Sequence, residues 1–260
     1  MFSVKVEKNS KLHKYFYFWA NKNFMKFQVL LFTFFICFGT QFLVAQHIRL
    51  DKKEMAFLAS QEKINVVFTY HDLHFNADNF TEAEFLDYIK KKIEGKLNTE
   101  EALDWEQEHL AAKDSVYPRI FVASLNNRIK NYDHPVEFVW NDPSIKYTMK
   151  VQTDWMYFGY DAGIAKQPAK ANLKIYFFET SNPENIISQI DVERAEGFDV
   201  VGSLSFYKTG TTTSFGPSGN WLEEFMKAKQ DYPKPSLIRM GNMYDKAAAR
   251  FGMTLKRVLD

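Results

Sequence analysis

Hydrophobic and polar positions alternate through the middle of the chain, and a helical spacing replaces this alternation on either side. In residues 147–157 aromatic or aliphatic side chains occupy most odd positions, and polar side chains fill most of the positions between them. A period of two is typical of a half-buried β-strand. Similar alternation in 172–177 and 186–193, joined by turn residues at 181–184, predicts an antiparallel hairpin.

Apolar residues at helical spacing predict several helices. Thr81 and Glu84 have the spacing of a capping box and precede the apolar stripe Phe85, Ile89, Ile93 and Leu97. A weaker helix is predicted over 99–113, and another begins after Pro118. The clearest pattern is C-terminal, where one face of a long helix carries Met240, Tyr244, Ala247, Ala248, Phe251, Leu255, Val258 and Leu259.

The order of these elements predicts the fold class. A β-branched and aromatic segment over 63–75 reads as a first strand, and helices, antiparallel strands and the terminal helix follow it. The expected fold is α/β (α+β), with a single mixed, largely antiparallel sheet, helices packed against it and a long C-terminal helix. Because no linker or repeat divides residues 46–260, we expect one globular domain there.

Residues 1–45 have a different pattern. From Met25 a lysine leads into an apolar run, and Ala45 precedes the polar Gln46. This arrangement is typical of a secretory signal peptide, with Met25 as the true start and cleavage between Ala45 and Gln46. The domain that follows is then extracytoplasmic, either periplasmic or secreted.

Two alternatives for this segment stay open. Residues 27–45 are long enough to cross a bilayer, so the segment is alternatively an uncleaved membrane anchor with lysine-rich residues 1–24 in the cytoplasm. Cys37 lies in the apolar run, which suggests a lipoprotein, although Phe35 and Ile36 are larger than such a site requires. All three hypotheses place residues 46–260 outside the cytoplasm.

Composition narrows the classes of function. The 260 residues are 46% hydrophobic, which is typical of a globular protein. The formal net charge is +1, but 27 basic and 31 acidic residues remain in 46–260, which gives that part a charge of −4. A mildly acidic domain argues against a nucleic-acid partner. The only cysteine, Cys37, lies before residue 46, so a disulfide framework is excluded there.

Motifs with catalytic spacing are weak. His71 and His74 are the nearest approach to a metal motif, but residues three apart on a strand point to opposite faces. The glycine-rich loop 209–219 lacks the lysine of a phosphate-binding loop. Acidic residues crowd 100–108, a pattern more typical of a solvated helix face. We therefore predict no metal and no cofactor, and the protein is not expected to be an enzyme.

The most suggestive stretch for ligand binding is 155–161. Aromatic side chains at a strand end, followed by a polar turn, are able to form a platform for a sugar or a peptide. We select Trp155, Tyr157, Tyr160 and Asp161 as candidate ligand-binding residues. The alternative is that Trp155 and Tyr157 belong to the core.

The element order over about residues 60–258 resembles small bacterial envelope domains. The pattern includes the strand 172–179, the helix segment 239–247 and the pair Phe251 and Gly252. Such domains occur in curli-secretion lipoproteins, in lipoprotein activators of penicillin-binding proteins and at the amino terminus of the Tol-system translocation protein. The segment from Met25 to Gln46 also looks like the leaders of Bacteroidetes-type secreted proteins. The resemblance implies a protein that binds partners rather than catalyses a reaction.

Three hypotheses of function follow. The first is an exported, non-enzymatic binding or scaffold domain of the bacterial cell envelope, with an envelope protein or a glycan as its partner. The second is a secreted hydrolase acting on glycan or peptide, with the acids of 100–108 or Asp161 as its catalytic groups. The third is an accessory subunit that reaches the membrane only through an uncleaved N-terminal segment.

Overall fold

The computed structural model of the protein describes residues 48–161, 166–197 and 233–260. The predictions made for the N-terminal segment, including cleavage between Ala45 and Gln46, and for the loop 209–219 lie outside these residues. Within the described ranges, the search for a helix of sufficient length and hydropathy to cross a membrane finds none.

The segment predicted as a first strand forms two strands. After a 3₁₀ helix at Ala56–Ser60, β1 covers Lys63–Thr69 and β2 covers His74–Phe75. A turn separates them, and Asp72 adopts the left-handed conformation there with φ 53°. Aspartate tolerates this region better than most residues because its short side chain bonds locally. A third short strand, β3, covers Phe80–Thr81 and pairs antiparallel with β2.

Helix α1, Glu82–Glu94, begins with the predicted capping box. Thr81 Oγ1 accepts from the Glu84 backbone N–H at 3.4 Å, and Glu84 Oε2 accepts from the Thr81 N–H at 2.9 Å. The helix ends at Glu94, followed by Gly95, so the prediction for Leu97 is wrong. Leu97 lies beyond the helix and is 49% exposed, whereas the rest of the predicted stripe is buried.

The next two helices are joined without a loop. Helix α2 covers Thr99–Ala111, and the Oδ1 atom of its N-cap, Asn98, accepts from the Glu101 N–H at 2.9 Å. A π-helical turn at Ala112–Val116 leads directly into α3, Tyr117–Ile129. Pro118 lies just after this turn and has no N–H to donate, and the Lys113 carbonyl, five residues earlier, accepts from the Tyr70 hydroxyl at 2.8 Å instead.

The remaining strands follow the predicted order. They are β4 (Glu137–Trp140), β5 (Tyr147–Tyr157), β6 (Tyr160–Asp161), β7 (Lys166–Gln167), β8 (Ala169–Glu179) and β9 (Asn182–Gly197). Strands β6 and β7 form a separate two-stranded hairpin. Strands β8 and β9 form the antiparallel hairpin that the alternation predicted.

The main sheet is mixed, and its order is β4, β1, β5, β8, β9. Strand β1 pairs parallel with both β4 and β5, and β2 continues beside β5, also in parallel. The long pairings of β5 with β8 and of β8 with β9 are antiparallel. The structure therefore has the predicted α/β fold with a mixed sheet, in which, among the described strands, three pairings are parallel, three are antiparallel and the longest two are antiparallel.

Strands β4 and β5 lie on opposite sides of β1 and run in the same direction, so the connection between them passes over β1. Asn65 of β1 lies beneath the crossing and is 3% exposed. Its Nδ2 donates to Thr148 Oγ1 at 2.9 Å, and its Oδ1 accepts from the Asp142 N–H at 2.8 Å. These bonds satisfy the buried amide and tie the crossing to the strands on either side.

Helices cover one face of the sheet and form a single core with it. The C-terminal helix α4, Leu237–Leu259, packs against α3 and against β9. Tyr244 is fully buried, and its hydroxyl hydrogen-bonds Thr153 Oγ1 of β5 at 2.8 Å. Trp105 of α2 is also fully buried, and its Nε1–H donates to the Pro235 carbonyl at 3.0 Å. The chain just before α4 is thereby attached to α2.

Candidate functional site

A β-bulge at Asp154 decides which way the aromatic residues at the end of β5 point. The register with β8 shifts by one residue between Thr153 and Trp155, so Asp154 is the extra residue. Thr153 and Met156 are both fully buried toward the helices. Trp155 and Tyr157 therefore lie on the opposite side of the sheet, which we call the outer face.

This geometry corrects one sequence expectation. The uninterrupted alternation placed Trp155 and Tyr157 on the same side as Met149 and Val151, and that alternation also supported a core role for the two aromatic residues. The prediction is wrong because one inserted residue reverses the alternation. Trp155 and Tyr157 are half-buried on the outer face, whereas Met149 and Val151 are fully buried.

The Trp155 ring is held in a defined orientation. Its Nε1–H donates to the Asn76 carbonyl at 2.9 Å. Its ring lies nearly parallel to that of Tyr157, with centroids 6.3 Å apart and an interplanar angle of 17°. The Tyr157 hydroxyl bonds Gln167 Oε1 at 2.9 Å, which links the pair to β7. The two rings form a fixed aromatic pair at the sheet surface.

A pocket of about 630 Å³ opens beside this aromatic pair. Its lining comes from the β1–β2 turn, the segment before β3 and the strands β5, β8 and β9. We call it the outer-face pocket; it is lined by Asp72, His74, Asn79, Asp154, Trp155, Asn172 and Arg194. Except for Trp155, every side chain in it is polar. This lining is more polar than that of most small-molecule sites, so a polar ligand suits it better than an apolar one.

Each of the two carboxylates that line the pocket has a nearby partner. Asp154 Oδ2 lies 2.8 Å from Lys174 Nζ of β8, and this carboxylate raises the pKa of Lys174. Asp72 Oδ2 lies 3.0 Å from His71 Nε2 in the turn. The Arg194 backbone N–H donates to Asn172 Oδ1 at 3.0 Å. The pocket thus contains both signs of charge and does not select strongly for an anion or a cation.

The geometry of His74 indicates its tautomer. Nδ1 lies 2.8 Å from the Asp72 carbonyl oxygen, which is only able to accept a hydrogen bond. The ring therefore carries its proton on Nδ1, and in the neutral form Nε2 is an acceptor. His71 and His74 lie in and just after a turn rather than along one strand. Within the described ranges, no three His, Cys, Asp or Glu side chains form a group able to hold a metal.

The other two predicted ligand residues lie next to the pocket rather than in its lining. Tyr160 is 43% exposed on β6. Asp161 Oδ2 lies 2.7 Å from Lys166 Nζ across the β6–β7 hairpin. The hairpin reaches the aromatic pair through Tyr157, whose pKa is raised by burial and by Tyr160. The structure therefore places the rings of Trp155 and Tyr157 side by side, whereas Tyr160 and Asp161 lie on the adjoining hairpin, outside the pocket lining.

Sequence reasoning missed most of the pocket's polar lining. Asn172 and Arg194 come from strands far along the chain, and a bulge at Arg194, which has φ 48°, brings them together. A usable signal was present in 72–79, where aspartate and asparagine recur at short intervals. Three of these residues adopt positive φ, Asp72, Asn76 and Asn79, and Asp72 and Asn79 line the pocket.

The acids considered for hydrolysis belong to the helical layer. Residues 100–108 lie in α2, on the side of the sheet away from the outer-face pocket. Glu106 pairs with Lys90 of α1 at 3.0 Å, and Glu101 pairs with Lys234. These pairs connect α2 to its neighbours, which gives the acidic segment a structural role.

A polar cluster is buried between α1, α2 and the π-helical turn. Glu82 accepts from Lys113 Nζ, and His109 Nε2 lies 3.7 Å from Glu82 Oε1. His109 is fully buried, and its ring stacks on Trp105 with centroids 5.3 Å apart. His109 and Lys113 lower the pKa of Glu82 to about 2. Burial lowers the pKa of His109.

This cluster predicts a loss of stability in acid. Below about pH 6.5 the unfolded chain protonates His109 more readily than the folded protein does, so stability falls. From pH 4.5 toward 2, stability falls again because the Glu82 pKa is about 2 in the folded protein and 4.5 in the reference state. A fall of the Glu82 pKa from 4.5 to about 2 corresponds to roughly 3 kcal/mol, and solvent screening at this partly exposed carboxylate reduces the loss to about 1–2 kcal/mol.

The measurement is urea unfolding of the wild type and of Glu82→Gln from pH 7 to pH 3. The variant is expected to be less stable at pH 7, because Lys113 loses its partner, and to show a shallower pH dependence below pH 5. Glu108→Gln, an exposed position on α2, is the matched control and should keep the wild-type slope. If the free energy of unfolding depends on pH in Glu82→Gln as it does in the wild type, the lowered pKa of Glu82 is contradicted.

Comparisons with protein-family models, with curated proteins and with solved structures found no match to this chain. The fold and the outer-face pocket therefore define the protein as an α/β domain with a polar and aromatic surface site. The resemblance to small envelope domains stays a prediction.

Proposed function

We propose that the protein is an exported, non-enzymatic binding or scaffold domain of the bacterial cell envelope. The observation that carries this proposal is the fixed aromatic pair of Trp155 and Tyr157 on the outer face beside a polar pocket. Aromatic side chains with fixed rings supply much contact area at a low cost in conformational entropy. A site of this kind suits recognition of a partner.

Export is the second part of the proposal. The pattern from Met25 to Gln46 supports it, because a basic start, an apolar run and a small residue before a polar one are typical of a cleaved leader. A protein that works in the envelope needs a binding surface that remains accessible after the domain has folded. The outer face meets this requirement because the described helices pack against the other side of the sheet.

The pairing of the carboxylates supports ligand binding rather than hydrolysis. Asp161 is paired with Lys166, and the acidic segment of α2 lies across the sheet from the pocket. The two carboxylates that line the pocket, Asp72 and Asp154, have charged or titratable partners within 3.0 Å. Ligand binding requires no change in these pairings, so we prefer the binding hypothesis to the hydrolase hypothesis.

Photo-crosslinking in the cells that make the protein tests the binding surface. Tyr157 is replaced by p-benzoylphenylalanine in the full chain, and Tyr88 is replaced in the same way as a matched control. Tyr88 is 48% exposed on α1, in the helical layer. The expected result is a discrete crosslinked product in the envelope fraction from position 157 and none from position 88. Equal products from both positions, or none from 157, would overturn the proposal.

The export part has its own test. Full-length protein is recovered from separate cell fractions, and its intact mass and N-terminal residue are measured. A species in the periplasm or the medium that begins at Gln46 is the expected result. A cytoplasmic species that retains the segment from Met25 would contradict export.

A further inference from the structure

We infer that the outer-face pocket binds an uncharged saccharide, with Trp155 as the platform for one sugar ring. This inference rests on the proposed binding function and specifies the ligand class. It follows from three features of the site: the orientation of the aromatic pair, the balance of charge and the planar polar groups around it.

The aromatic pair has the properties of a sugar platform. The face of an aromatic ring carries partial negative charge, and it attracts the weakly positive C–H groups of a pyranose ring. The bond from Trp155 Nε1 to the Asn76 carbonyl and the near-parallel Tyr157 ring fix the orientation of the indole. A platform that is already ordered loses little entropy when the ligand binds.

The balance of charge favours a neutral ligand. Two carboxylates line the pocket, Asp72 and Asp154, and the cationic groups are Arg194 in the lining and Lys174 beside it. Lys174 Nζ already lies 2.8 Å from Asp154 Oδ2, so much of its charge is compensated. A phosphate or carboxylate ligand would face two carboxylates, and a cationic ligand would compete with Lys174 and Arg194. A polyhydroxyl ligand avoids both conflicts.

The polar groups match the hydroxyls of a sugar. Asn79 and Asn172 each carry an amide that is able to donate and accept, and carboxylate oxygens accept from sugar hydroxyls. Asn172 is already oriented, because its Oδ1 accepts from the Arg194 N–H at 3.0 Å. His74 adds one acceptor, Nε2, in the tautomer that its Nδ1 contact indicates. Neighbouring hydroxyls on a sugar need this mixture of donors and acceptors.

The size of the pocket is consistent with a short oligosaccharide. A volume of about 630 Å³ is within the range of small-molecule sites. The pocket opens at the surface of the sheet, and Tyr157, which lies outside its lining, provides a second ring whose centroid is 6.3 Å from that of Trp155 on the same face. We therefore expect affinity to rise from a monosaccharide to a disaccharide or trisaccharide.

Saturation-transfer difference NMR on the full chain tests the inference. The probes are maltotriose, cellotriose and chitotriose as neutral sugars, with trigalacturonate and glycerol 2-phosphate as anionic comparisons that also carry the C–H protons the experiment detects. The expected result is saturation transfer to at least one neutral trisaccharide and none to the anions. In Trp155→Ala the dissociation constant for that sugar should rise at least tenfold. In Trp155→Phe, which keeps a ring, it should rise by a smaller factor. Tyr88→Ala should bind as the wild type does.

The outcomes separate this inference from the proposed function. Binding only to trigalacturonate, or to no sugar, would overturn the saccharide inference, and so would equal binding by the wild type and a folded Trp155→Ala. If the crosslink from position 157 is formed in the same cells, the proposed function stands with a ligand of another class. If both experiments are negative, both proposals fail.

Discussion

Replacing Gly197 with alanine is expected to destabilise the protein by about 3 kcal/mol or more. Gly197 ends β9 where α4 crosses it, and a Cβ atom there would lie 2.2 Å from the Met243 backbone nitrogen and 2.4 Å from the Arg239 carbonyl oxygen. These atoms belong to the helix backbone, so no rotation of a side chain relieves the clash. Either α4 moves away from the sheet or the end of β9 unpairs from β8.

Gly95→Ala is the matched control for this experiment. Gly95 follows α1 with φ −68°, and an added Cβ would meet only the Lys91 carbonyl oxygen, at 3.3 Å. Its effect on the free energy of unfolding should stay within about 1 kcal/mol. Urea unfolding followed by circular dichroism measures both variants. Equal stability of Gly197→Ala and the wild type would contradict the close approach of α4 to β9.

The second large effect is expected for Trp105→Ala, at about 3–5 kcal/mol. Trp105 is fully buried in α2, and its ring lies 6.3 Å from that of Phe85 and 6.1 Å from that of Phe158. The substitution leaves a cavity between helix and sheet. It also removes the N–H that bonds the Pro235 carbonyl, so the segment before α4 loses its attachment to α2.

Trp155→Ala removes the same side chain from the outer face and serves as the control for Trp105→Ala. Trp155 is half-buried and makes one hydrogen bond, to Asn76. Its loss should cost about 1–2 kcal/mol, well below the loss at Trp105. The same urea titration compares the two. A similar loss at both positions would contradict the assignment of Trp155 to the surface and Trp105 to the core.

Local signals in the sequence were sufficient for most elements. The Thr81–Glu84 pair placed the start of α1, Pro118 placed the start of α3, and alternation located β5, β8 and β9. These signals work because capping, proline geometry and periodicity depend on a few neighbouring residues. Leu97 was assigned wrongly because the apolar spacing continues past the point where the helix stops at Gly95.

Pairing between distant strands was beyond local signals. The parallel arrangement of β1 with β4 and β5 requires the connection 141–146 to cross β1, and Asn65 supports that crossing from within the sheet. Nothing near Asn65 in the sequence indicates that its partners are Thr148 and Asp142. The sequence predicted one mixed sheet, and the strand order came only from the structure.

The candidate site, too, was predictable only where local sequence signals determine it. Trp155 and Tyr157 were selected from the sequence for their aromatic side chains, but their orientation depended on the bulge at Asp154, which a period of two does not reveal. Asn172 and Arg194 join them only because β8 and β9 fold back beside β5. Because the site is assembled from several strands, the sequence of any one strand reveals only part of it.

We propose that Trp155 lies on an accessible binding surface, whereas Trp105 lies in the core. Hydroxyl-radical footprinting with mass spectrometry tests it directly, on the full chain alone and in its crosslinked envelope complex. We expect Trp155 to be oxidised in the free protein and protected in the complex, and Trp105 to stay unmodified in both. Oxidation of Trp155 to the same extent in both states, or its complete protection in the free protein, would contradict the proposed binding surface.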